Sequence, residues 1–126
     1  MMKEENVLLT KSYSFGVRII RLYQFLSDEK RDYVIGKQIL RSGTSIGSNA
    51  EEAVGAQSKR DFMAKLWISY KEARESHYWL RLLRDTDYLT PNLATSLLND
   101  CEELLKIIGS ILKTMRGQGD TSSSDS

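Results

Sequence analysis

One proline, one cysteine and one histidine occur in the 126 residues. The lone Cys101 cannot close an intrachain disulfide or build a cysteine metal knuckle. A di-iron bundle needs a Glu-x-x-His pair from each of two helices; here the residue three before His77, the only histidine, is Arg74. No metal or other cofactor is therefore expected. No run approaches the roughly 18 apolar residues of a membrane span, and the opening "MMKEENVLLT" has neither an arginine-rich leader nor an apolar signal core. The expected location is cytoplasmic, away from membranes. Segment "GTSIGSN" lacks the lysine and the preceding strand of a phosphate loop. Ser42, Ser45 and Ser48 have no base partner placed by any motif. These absences point away from an enzyme.

The scarcity of proline leaves room for long helices. Leu8, Ser12, Phe15, Ile19, Leu22 and Leu26 recur at spacings of 4 and 3, which predicts a first helix over about 6–27. Ile35, Ile39, Ile46, Ala50 and Ala53 trace a second to about Ala56. Ser58, with Asp61 three positions on, caps a third whose stripe is Phe62, Leu66, Ser69, Ala73, His77 and Leu80. Thr90 followed by Pro91 starts a fourth, carrying Leu97, Cys101, Leu104, Ile108, Ile111 and Met115. No segment alternates like a strand. The expected fold is all-α: an up-down-up-down antiparallel four-helix bundle over 1–116, with a disordered polar tail, "GQGDTSSSDS", at 117–126.

Net charge is +1, but its distribution is lopsided: Lys11–Arg84 holds fourteen Lys and Arg against eight Asp and Glu, and Asp85–Ser126 three against seven. Basic and acidic helices that pair within the fold account for this, as does a basic surface. On the second helix Gln38, Arg41, Ser45, Asn49 and Glu52 share one stripe about 80° wide, bordering the apolar seam. Small residues crowd the same helix, including Gly36, Gly43 and Gly47. Each internal glycine costs about 1 kcal/mol against alanine, so a close backbone approach is expected, from this bundle or from a neighbouring subunit. Glu72 and Glu75, three apart on the third helix, are expected to bind Arg41 or Arg74 in an interhelical network rather than act as a catalytic pair.

The motif "QILRSGTSIGSNAEE", with "KRDF" and "KEARESHYWLRLL", resembles the small four-helix-bundle family associated with intervening sequences inside bacterial 23S rRNA genes. The resemblance covers about 7–115. It departs from the common Asn-Ile-Ala-Glu-Gly at Asn49-Ala50-Glu51-Glu52-Ala53. It implies a ring-shaped homo-oligomer, a pentamer by analogy. It also implies kinship with a fold that serves diversity-generating retroelements as an accessory protein, engaging a reverse transcriptase and nucleic acid. Two classes of function follow. A scaffold or accessory that binds RNA or DNA would use Arg18, Arg21, Lys37, Lys59, Arg60 and Lys65, multiplied around a ring. An adaptor for a protein partner would instead present an apolar or acidic patch, and an enzyme, a distant third, would need a buried pocket with convergent polar groups. Tyr13, Tyr23 and Trp67 could stack on bases, although packing is the expected role of each aromatic.

Overall fold

Four helices arise where the apolar periodicity places them: α1 (Lys3–Asp28), α2 (Val34–Val54), α3 (Lys59–Asp85) and α4 (Pro91–Asp125). This computed structural model describes residues 2–125, with side chains as far as 117. Consecutive helices pack on one another and α4 closes on α1, while the backbones of the diagonal pairs stay more than 8 Å apart between Cα atoms. Their directions follow from cross-helix partners. Residues 36, 43 and 47 of α2 meet 23, 19 and 12 of α1, and residues 41 and 52 meet 72 and 65 of α3. Along α4, Asp100 and Glu103 face Arg18 and Lys11 of α1. Each neighbour therefore runs antiparallel to the last. Among the described residues there is no strand.

The stripes predicted on α1 and α4 form the core. Leu8, Phe15, Ile19 and Leu26 of α1 meet Leu97, Cys101, Leu104 and Ile108 of α4, all essentially buried. On α3 the buried face is Phe62, Leu66, Ser69, Ala73, Ser76, Leu80 and Leu83. Ser76 takes the core place expected of His77, which is only half-buried. The physical reason is size: α2 and α3 meet through small residues, leaving room for a hydroxyl but not an imidazole.

That α2–α3 seam is polar inside yet satisfied. Ser69 Oγ donates to the Ile46 carbonyl at 2.8 Å. The Ser76 and Ser42 hydroxyls are 2.9 Å apart, and Ser76 Oγ lies 2.8 Å from the Glu72 carbonyl. No buried side-chain nitrogen or oxygen among the described residues lacks a partner, so these serines avoid the desolvation cost of an orphaned group.

The glycines of α2 serve α1. A Cβ at Gly43 would stand 2.7 Å from the Ile19 side chain, and one at Gly47 would stand 3.3 Å from the Ser12 backbone carbonyl. The close approach expected from glycine density is thus made within the bundle.

Helix ends match the sequence where side chains cap them. Ser58 Oγ accepts from Asp61 N–H at 3.0 Å, and Thr90 Oγ1 accepts from Leu93 N–H. At α2 the cap comes from Asp32, whose carboxylate accepts the Gly36 N–H at 2.8 Å. Arg31 and Asp87 take left-handed backbone angles, φ 53° and 66°, just past the ends of α1 and α3. Helix α2 stops at Val54, slightly before the expected Ala56. From 118 on, the predicted disordered tail lies outside the residues whose side chains are described; the backbone of α4 continues helical to Asp125.

Candidate functional site

A square of four helices offers four outer faces, and the chemistry-bearing residues divide among them. Between α2 and α3 lies an ionic network. Arg41 donates from Nη1 to Glu72 Oε2 at 2.9 Å and from Nη2 to Glu75, whose carboxylate also accepts the Trp79 indole N–H at 3.1 Å. Lower on the same face Lys65 pairs with Glu52 at 3.3 Å. The other three stripe residues behave differently from Arg41 and Glu52. Ser45 donates to the Arg41 carbonyl of its own helix, Asn49 donates to the Ser45 carbonyl, and Gln38 is exposed. Arg74 does not join Glu72 and Glu75.

Because Arg41 is half exposed, its network supplies about 1 kcal/mol or less. Arg41→Ala is accordingly expected to lower the melting temperature by a few degrees, which differential scanning calorimetry would register. Unchanged melting and unchanged assembly would show that this network has no structural role.

The six cations singled out in the sequence are not gathered together. Arg18 is bound to Asp100 at 2.6 Å on the α1–α4 face, and Lys65 is held by Glu52. Arg21 and Lys37 are exposed near the end where α1 gives way to α2; Lys59 and Arg60 open α3 at the opposite end, about 25 Å away along the helix axes. Charge counting along the chain had no means of seeing this separation.

Two features went unread in the sequence. The first is an apolar groove of about 390 Å³ between α1 and α2, lined by Leu9, Tyr13, Val17 and Ile20 from α1 and by Gly47 and Thr44 from α2. Tyr13 is 72% exposed, Ile20 45% and Val17 39%. Their signal was a second apolar stripe on α1 beside the core one. The second is the outer ridge of α3, where Arg60, Ala64, Trp67, Lys71, Arg74, Tyr78 and Arg81 recur at spacings of 4 and 3 and are all exposed. Its signal was that spacing, on the side away from the core stripe.

His77 lies between this ridge and α4, its Nε2 3.4 Å from Glu102 Oε1. Cys101 is sealed in the core, its thiol donating to the Ala73 carbonyl, and burial pushes its pKa up to about 12. Among the described residues no three His, Cys, Asp or Glu side chains are placed to hold a metal ion, and no helix is long and apolar enough to cross a membrane.

Residues 4–110 match the family model of the 23S rRNA-intervening sequence protein. The chain is also similar, at 51% identity and a TM-score of 0.86, to a crystal structure from Bacteroides thetaiotaomicron VPI-5482. That protein is described as having unknown function and as coming from the S23 ribosomal protein family; the match covers 87% of this chain and 98% of that one. Among curated proteins none matches significantly.

Proposed function

Because the chain belongs to the 23S rRNA-intervening sequence protein family, we propose that it works as a non-enzymatic scaffold in which copies associate into a closed ring, five by family resemblance. The observation that carries this reading is the apolar groove between α1 and α2. Tyr13, Val17 and Ile20 hold a continuous apolar strip in water beside a groove floored by Gly47 and Thr44. Contiguous exposed apolar surface supports reading this strip as an interaction site. Burying it removes its hydration cost at about 25 cal/mol per Å². A ring requires each copy to use two different patches, so the groove of one subunit meets another face of the next. The ion-paired α2–α3 face, carrying the family motif, adjoins the groove across α2 and is the natural second patch.

The reading predicts an assembly several protomers in mass by size-exclusion chromatography with light scattering. Val17→Glu combined with Ile20→Glu places two carboxylates on the strip and leaves the core untouched. The double variant is expected to elute as a monomer with its helical circular dichroism retained. A monomeric parent protein, or an assembly indifferent to the two glutamates, would sink the proposal.

A further inference from the structure

We infer that the outer ridge of α3 is a platform for single-stranded nucleic acid. Arg60, Trp67, Lys71, Arg74, Tyr78 and Arg81 point away from the core along about 32 Å of helix, in a sector about 100° wide. No Asp or Glu falls in that sector between Arg60 and Arg81. Lys71 and Arg74 are exposed and form no ion pair among the described residues, whereas Lys11, Arg18, Arg41 and Lys65 are each held by a carboxylate. The ridge cations are thus among those free to meet phosphate, and they differ from the others, such as Lys37, Lys106 and Lys113, in sharing one line with exposed aromatic rings.

The aromatics give the ridge a second chemistry. Trp67 and Tyr78 are 40% and 49% exposed and stand about 16 Å apart along the axis. Each ring is braced edge-on by a half-buried neighbour: Tyr70 at 5.7 Å and an interplanar angle of 80°, and Trp79 at 5.3 Å and 66°. Arg81 lies 5.8 Å from the Tyr78 ring centre. Braced rings alternating with unpaired cations stack bases and hold phosphates on one line, as sequence-tolerant single-strand binders do. In a duplex the base faces are already stacked, so only the phosphate term would remain. Base stacking and phosphate pairing are common to RNA and DNA, so both kinds of single strand should bind. Of the six cations read from the sequence, only Arg60 belongs to this surface.

This ridge is separate from the groove assigned to self-association, and the two readings can fail separately. The test is fluorescence anisotropy with labelled 20-nucleotide oligo(U) and oligo(dT) and a 20-base-pair duplex, using full-length protein across a potassium chloride series. Light scattering on the same samples reports assembly. Both single strands should bind more tightly than the duplex. Lys71→Ala with Arg74→Ala should reduce the slope of log affinity against log salt by about 1.4 per ridge engaged. Trp67→Ala should weaken binding about 5- to 150-fold and leave the slope unchanged. Lys106→Ala with Lys113→Ala, exposed cations of α4, should change neither. The groove variant Val17→Glu with Ile20→Glu should still bind as a monomer, with the slope of one ridge. The assignment is overturned by absence of binding at low salt, by preference for duplex, or by equal loss in the α4 control. It is overturned equally if ridge substitutions change the mass of the assembly and not its affinity for the strands.

Discussion

Gly43→Val is expected to lower the stability of the protein by about 2–3 kcal/mol, and its melting temperature by roughly 10 °C. The substitution improves helix propensity by a few tenths of a kcal/mol, so propensity alone predicts the opposite sign. Packing decides. A Cβ at position 43 would lie 2.7 and 2.8 Å from the two γ carbons of Ile19 and 3.2 Å from its Cβ. Ile19 is fully buried and branched at Cβ, so it has no free rotamer into which to retreat. Relief requires α1 to move off α2, which loosens the contacts of Phe15 and Leu22 on the same face. Gly16 provides the opposite case, since a Cβ there meets nothing within 4 Å. Gly16→Ala should therefore stabilise the protein by about 1 kcal/mol. Urea unfolding of the two variants beside the parent measures both signs, and a stabilised Gly43→Val would show that α1 and α2 are not in the close contact described.

The second large effect is alkaline and centres on Cys101. Its thiol has an ordinary value of 9.0 and is raised to about 12, first by burial and then by the neighbouring charges of Glu102 and Asp100. In the unfolded chain the thiol ionises above pH 9.0, while in the fold it keeps its proton until about 12. The unfolded state then binds fewer protons, so stability falls as pH rises through that window, by about 1.4 kcal/mol per unit, and is unaffected by this group below it. Cys101→Ala should lose that part of the decline, even though its smaller side chain costs some stability at every pH. Paired urea titrations at pH 8 and 10 would reveal the difference. In the same protein the thiolate at pH 8 is about a thousandfold scarcer than in a free cysteine. Iodoacetamide should label it only through unfolding. Rapid labelling of the native protein, or equal pH slopes with and without the thiol, would contradict this burial.

Much of the architecture was legible because it rests on local rules. Spacings of 3 and 4 put Leu8 through Leu26 and Leu97 through Ile111 on single faces, and those faces are the core. Ser58 and Thr90 announced their helices through side chains that can reach only the first turn. The family was legible as well, since the α2 motif and the α3 segments lie within the matched residues 4–110. Helix α3 was harder. Small or apolar residues occur on several of its sides, so a rotation of one position was invisible, and Ser76 holds the place expected of His77.

By itself the sequence determined four helices, their order and most of their buried faces, because each depends on neighbours within two turns; it placed Glu72 and Glu75 near basic residues but left Arg41 and Arg74 as equal candidates, and the fold chose Arg41. Only the tertiary structure decided which helix the α2 glycines admit, which cations are held by carboxylates and which are left facing water, and that Tyr13 and Ile20 flank an open groove. Those outcomes depend on how far apart residues distant in the chain come to lie, a quantity set by packing around the whole bundle and carried by no single stretch of sequence.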